Sequence, residues 1–152
     1  GVIDAAEWVG PWNDLAFGFY KVAKNYYGPG FHEGGPALEL MLNSNAYEGL
    51  SADLQQVIKV SCAAENQIML SEYLANNLRS AEILKKRYEI ELQEYPQDIL
   101  KAFFKESENV VREVAEEGKI ERKIYESYIK FRKASMAYAK VGELGFLKGR
   151  LS

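Results

Sequence analysis

From Ser51 onward, apolar and small residues recur at three- and four-residue spacing over a longer stretch than a small globular domain usually needs. Leu54, Val57, Ile58, Ser61, Cys62, Glu65, Ile68, Met69 and Glu72 trace one helical stripe, and Tyr73, Leu78 and Ala81 continue beside it. Ser51 is a good N-cap residue, so the pattern predicts one helix over Ala52 to about Tyr88. At 1.5 Å per residue that helix would be roughly 50 Å long, a length that usually spans two bodies. The rest of the chain has to be arranged around this rod.

Upstream, residues 2 to 9 mix β-branched and small residues and stop at Gly10-Pro11, which fits a short strand entering a turn directly after Glu7-Trp8. Asp14 is placed to cap a helix over Leu15 to Asn25, with Leu15, Phe19 and Val22 on one face, and Gly28-Pro29-Gly30 prevents its continuation. A glycine-rich loop covers Gly28 to Pro36. Ala37 to Asn43, ALELMLN, reads as a mostly buried strand, although so short an apolar run also fits a helix.

Downstream, Ile90 to Leu92 reads as a short strand ended by Tyr95-Pro96. Pro96 opens a helix through Glu117, with Ile99, Leu100, Phe103, Val110, Val111 and Val114 inward and Gly118 closing it. A last helix runs from Ile120 toward Leu147, with Ile124, Tyr128, Phe131, Met136, Tyr138 and Val141 inward, and is loosened by Gly142 and Gly145.

The sum is about five helices, one of them very long, and about three short strands: a mostly α chain. Three isolated short strands do not make a self-sufficient sheet, so they are expected to complete one whose other strands lie elsewhere. The abrupt opening Gly1-Val2-Ile3-Asp4, without initiator methionine or leader, is read the same way, as a fragment whose first part is missing.

Composition narrows the classes. The 152 residues, 47% hydrophobic and 27% charged, suit a single globular domain, and no apolar run is long enough to span a bilayer. The net charge of -3 is small, and the first fifty residues carry six acids (Asp4, Glu7, Asp14, Glu33, Glu39, Glu48) against Lys21 and Lys24. That is no nucleic-acid footprint. One cysteine, Cys62, allows neither an internal disulfide framework nor a multi-cysteine metal site, and among Val60, Ala63 and Ala64 it is read as a small core residue rather than a nucleophile. Nucleotide-loop, HExxH and calcium-loop motifs are absent.

Chemistry concentrates in Ile3 to Gly35, which holds Trp8 and Trp12, the only histidine, His32, and six of the seventeen Tyr and Phe residues. Glu7 has two open readings: a solvated acid at a strand end, or a hard oxygen donor beside turn carbonyls, of the kind that suits sodium, calcium or magnesium. Trp8 is either a core aromatic or the wall of a small-molecule pocket. Glu33 lies in FHEGG, where glycines let backbone approach a ligand closely. His32 is read as a hydrogen-bonded loop residue, Glu65-Asn66 as a solvated patch, and Lys85-Lys86-Arg87 as a charged helix end favourable beside its dipole.

The segment DAAEWVGPWNDLAFGFYKVAKNYYGPGFHEGGPALEL strongly resembles the C-terminal half of the extracytoplasmic solute-binding subunits of TRAP transporters, the DctP-type family. It looks most like the branch that binds 2-oxo acids and related monocarboxylates. ALELMLN, LSADLQQVIKVSCAAEN and KIYESYIKFRKASMAYAKVGEL are similar to the family as well, so the resemblance covers nearly all of residues 1 to 152.

The resemblance implies an α/β, periplasmic binding protein-like fold in two lobes, of which residues 1–152 would be the C-terminal portion. A long helix would cross both lobes, with hinged closure on an organic anion. It implies a periplasmic receptor that captures a small carboxylate, delivers it to membrane subunits and is not an enzyme. In metal-using members a carboxylate and a main-chain carbonyl at the EW position help hold a cation, sodium or calcium, that bridges to substrate. Here those positions are Glu7 and Trp8, with Glu33 as a further candidate and Phe31 as part of the wall. The family's substrate-pairing arginine belongs to the earlier half, and Arg79, Arg87, Arg112, Arg122, Arg132 and Arg150 match no such position. The rival expectation is a helical interaction module, and pairing of copies through the C-terminal helices is compatible with either.

Overall fold

Proline supplies the first helix with its start. Pro11 is pre-set for the first helical position and lacks an N–H that would otherwise go unpaired, and helix α1 runs Pro11–Phe17. In the computed structural model, residues 2–32 and 34–151 are described. Gly18 ends α1 at φ 76°, and its N–H donates back to the carbonyls of Asp14 and Leu15. A single 3-10 turn, Phe19–Lys21, follows. The helix thus begins earlier than Leu15 and ends earlier than Asn25, and Asp14 lies within its first turn rather than capping it.

Strand β1, Tyr26–Gly28, pairs in parallel with β2, Leu92–Glu94, in the register Tyr26↔Leu92, Tyr27↔Gln93 and Gly28↔Glu94. Parallel neighbours need a long crossover, and here it contains α2, Ser44–Glu48, and α3, Ala52–Tyr88. Helix α3 has the 37 residues and the bounds that the apolar spacing predicts. It holds no proline or glycine. Glu89 stops it in a left-handed conformation, and the Ile90 N–H donates to the Leu84 carbonyl, burying Leu84 and Ile90.

Three expected strands differ. Residues 2–9 and 37–43 form neither helix nor strand, and the strand expected at 90–92 lies at 92–94. A strand exists only with a hydrogen-bonded neighbour, and among the described residues β1 and β2 have one while the other two segments do not. Leu38, Leu40, Met41 and Leu42 are accordingly exposed.

The chain forms two compact units, residues 1–96 and 97–152. In the first, α1 packs on the C-terminal part of α3, where Trp12 and Tyr73 meet edge-to-face at 5.0 Å. The end of α3 is buried at Ser80 and Leu84, whereas Leu54, Val57 and Ile68 of the predicted stripe stay exposed. Cys62 is exposed as well, contrary to its reading as a core residue. Tyr20 stacks on Tyr88 at 3.8 Å and Tyr27 on Tyr95 at 5.2 Å, flanking the two-stranded sheet with aromatic pairs.

The second unit is built of consecutive helices: α4, Gln97–Glu116, packs with α5, Lys119–Ala139, and α6, Glu143–Leu151, follows. The predicted last helix is therefore interrupted near Gly142. Leu100 and Ala115 are buried, while Ile124, Tyr128, Phe131, Met136 and Tyr138, expected inward, are exposed. Arg132 of α5 reaches Glu108 of α4 at 2.7 Å.

Candidate functional site

The position of Glu7 and Trp8 is set by the joint that follows them. Gly10 has φ 153°, and a Cβ there would stand 3.3 Å from Asn77 Oδ1, so glycine serves both the backbone conformation and the close approach. Asn77, on α3, accepts from the Trp12 N–H at 3.0 Å. That bond satisfies one of the donors left unpaired at a helix start. The 7–8 segment is thereby aimed from a helix end that is itself pinned to the long helix.

Trp8 is fixed by its own ring contacts. Its indole meets Phe17 at 5.5 Å and Phe19 at 6.5 Å, both edge-to-face, while Phe17 and Phe19 stack on each other at 6.0 Å. The left-handed turn at Gly18 is what lets residues on either side of it face the same indole. Such edge-to-face pairs contribute about 0.5–1.5 kcal/mol each beyond area burial. Trp8 nevertheless keeps 48% of its surface exposed, so it is a braced wall rather than a core residue.

The glycine-rich loop returns to this place. His32 Nε2 lies 3.7 Å from Glu7 Oε2, and Phe31 and His32 contact ring to ring at 4.9 Å. The approach to Glu7 exceeds hydrogen-bond length, so it records proximity of two segments twenty-five residues apart in sequence. The Glu7 side chain is 62% exposed. Glu7, Trp8, Phe31 and His32 are thus brought together, and Glu33 lies outside the described residues.

Behind this wall is a polar pair that the sequence pattern did not single out. Asp14 is buried, and the Tyr26 hydroxyl donates to its Oδ2 at 2.5 Å. Burial pushes the Asp14 carboxyl above its usual value, the Tyr26 hydrogen bond works against that, and the negative charge of Glu7 adds to it. Burial and Asp14 together hold the Tyr26 hydroxyl protonated to strongly alkaline pH. An acid amid Trp, Leu and Phe, WNDLAF, was the available sequence signal.

Among the described residues no three His, Cys, Asp or Glu side chains converge as a metal-binding group. The exposed Glu7 carboxylate is an oxygen donor of the kind a hard, oxygen-preferring cation takes, with further oxygens needed to complete its shell.

The family model for bacterial extracellular solute-binding protein family 7, DctP, matches residues 1–118. The chain belongs to this DctP family. A monocarboxylate 2-oxoacid-binding periplasmic protein of Nostoc sp. strain PCC 7120 is 36% identical over 148 residues, which are 96% of this chain and 40% of that protein. Two solved TRAP transporter solute-binding proteins share the fold. One, from Bordetella bronchiseptica RB50, a mixed-occupancy dimer with calcium and picolinate, has 30% identity and a TM-score of 0.93 over 99% of this chain and 45% of that one. The other, from Pseudoalteromonas atlantica T6c with sodium and pyruvate, has 30% identity and a TM-score of 0.87 over 97% of this chain and 45% of that one. This DctP-family chain thus spans less than half the length of each of these relatives, and its α/β architecture is that of TRAP solute-binding proteins.

Proposed function

We propose that residues 1–152 are the C-terminal portion of a periplasmic TRAP-type solute receptor that captures a small organic carboxylate, of the 2-oxo acid class, for delivery to membrane subunits. The observation that supports this reading is the approach of His32 to Glu7 at 3.7 Å, which sets the Phe31–His32 pair beside the Glu7–Trp8 segment. Proteins similar to this chain are described with 2-oxoacids, with pyruvate and sodium, and with picolinate and calcium. Trp8 and Phe31 form the apolar wall, and Glu7, the Trp8 carbonyl and Glu33 are the oxygen donors for a sodium or calcium ion. Bound there, the cation supplies positive charge to pair with the ligand's carboxylate. The protein's own groups bind and orient; no nucleophile or leaving group is called for, and the role is not enzymatic.

Glu7→Ala in the full-length protein is expected to abolish cation-dependent pyruvate binding in isothermal titration. Unchanged binding removes Glu7 from the site.

A second reading, pairing of two copies through the C-terminal helices, is favoured by the exposed row Ile120, Ile124, Tyr128 and Phe131 at helical spacing on α5. Light scattering of the full-length protein tests it, and a monomeric mass overturns it.

A further inference from the structure

Two stretches must be held in register for the reading above, residues 7–8 and residues 28–32; α1 and the 3-10 turn lie between them, and β1 runs into the second. Each neighbour of those stretches is anchored separately. Helix α1 is seated on α3 through Trp12 and Asn77. Strand β1 is paired with β2, and the Tyr95 N–H donates to the Gly28 carbonyl at 2.9 Å. The hydrogen bond from Tyr26, the first residue of β1, to Asp14, in the first turn of α1, links the two anchored pieces directly.

A carboxylate is a poor choice for that place on stability grounds. Asp14 is only 8% exposed, and taking a charge out of water is costly unless it is well hydrogen-bonded. The field of Glu7 makes the cost greater. A charge-assisted bond is short and directional in return, so its benefit is geometric.

We propose that Asp14 and Tyr26 are positioning residues for the half-site, their hydrogen bond fixing the turn that carries Phe31 and His32 against the Glu7–Trp8 segment. The proposal rests on the reading of those residues as ligand-facing. Neither Asp14 nor Tyr26 touches the ligand. They act as the partners behind metal ligands do, whose removal typically lowers affinity about 10- to 100-fold.

The test uses the full-length protein with Tyr26→Phe, which removes one oxygen, and Asp14→Asn, which keeps an acceptor for the tyrosine hydroxyl. Pyruvate affinity is measured by isothermal titration in calcium and in sodium, and amide hydrogen exchange is followed without ligand. Tyr26→Phe is expected to weaken pyruvate about 10- to 100-fold and to speed exchange in residues 28–32 while α3 keeps its protection. Asp14→Asn is expected to retain most of the wild-type affinity. Unchanged affinity and exchange in Tyr26→Phe overturns the proposal. So does exchange raised evenly through α1, β1 and α3, which would make the bond a fold contact only. If the wild-type protein binds no pyruvate, the functional reading fails by itself, and exchange alone then decides: faster exchange confined to residues 28–32 supports positioning, and no change overturns it.

Discussion

Asn77 on the long helix accepts a hydrogen bond from the Trp12 N–H at 3.0 Å, across 65 residues of sequence, and so caps a helix to which it does not belong. Caps normally come from the residue just before the helix, and Gly10 has no side chain to serve. The long helix supplies the missing acceptor. Asn77→Ala is expected to cost about 1 kcal/mol, the usual value of a lost cap, in urea unfolding followed by tryptophan fluorescence. Asn77→Asp keeps the acceptor and adds a negative charge at a helix N-terminus, so it is expected to match or exceed wild type by about 0.3–1 kcal/mol.

Gly10 is the second half of that arrangement. At φ 153° with Asn77 Oδ1 3.3 Å from the place a Cβ would occupy, Gly10→Ala combines backbone strain with a displaced cap. The expected loss is about 1–3 kcal/mol. Gly34→Ala, where a Cβ would meet nothing within 4 Å among the described residues, is the control and is expected to be near neutral. Thermal unfolding of both variants checks the contrast.

How much of this was legible from the chain depended on how far apart the cooperating residues lie. The bounds of α3 follow from local signals, the apolar spacing and the cap position at Ser51, because 37 residues run without a proline or glycine and each hydrogen bond is local. Strands are different, since their bonds are to distant segments. ALELMLN looks like a strand and finds no neighbour among the described residues, while Tyr26–Gly28, too short to announce itself, pairs with Leu92–Glu94. Glu7 and Trp8 were legible as candidates through the family pattern, yet the sequence did not show that His32 would reach Glu7. Asp14 has the sequence signature of a cap, an acid before an apolar helix. Only Tyr26, twelve residues on, explains it.

The buried Asp14 carboxyl gives a pH signature. Burial, reinforced by Glu7 and opposed by Tyr26, raises its pKa above 3.8. The folded state therefore holds that proton more tightly than the unfolded state, and the stability it contributes is fully present below about pH 3.8 and lost as pH rises through the folded pKa. Asp14→Asn cannot titrate. The difference in unfolding free energy, wild type minus Asp14→Asn, is thus expected to fall as pH rises from 3.8 through the folded pKa and then to level. A flat difference across that range contradicts it. Taking the difference cancels the carboxylates that do not interact with Asp14, leaving Asp14 and its neighbour Glu7.

Arg132 of α5 and Glu108 of α4 form an ion pair at 2.7 Å. Both side chains are at least 36% exposed, which decides its magnitude. Solvent screening and side-chain entropy leave an exposed pair worth about 0.2–1 kcal/mol. A double-mutant cycle on Arg132→Ala and Glu108→Ala is expected to give a coupling in that range at low salt and close to zero in roughly 1 M salt, where the Debye length is about 3 Å.

The exposure of Glu7 and Trp8 leads to the last prediction. A carboxylate ligand gains most where water is excluded and a bidentate arginine completes the pairing. Here the Glu7 side chain is 62% exposed, Trp8 is 48% exposed, and the chain spans 45% of each solved relative. Losing the partner of a buried charge pair costs about 2–5 kcal/mol, and every 1.4 kcal/mol is tenfold in affinity. On the function proposed above, residues 1–152 alone are therefore expected to bind pyruvate at least about 30-fold more weakly than the longer receptor in parallel isothermal titrations with calcium. Equal affinity would mean that the 7–8 segment and the 31–32 turn are a complete site, and that the rest of the ligand's surroundings contributes nothing to its capture.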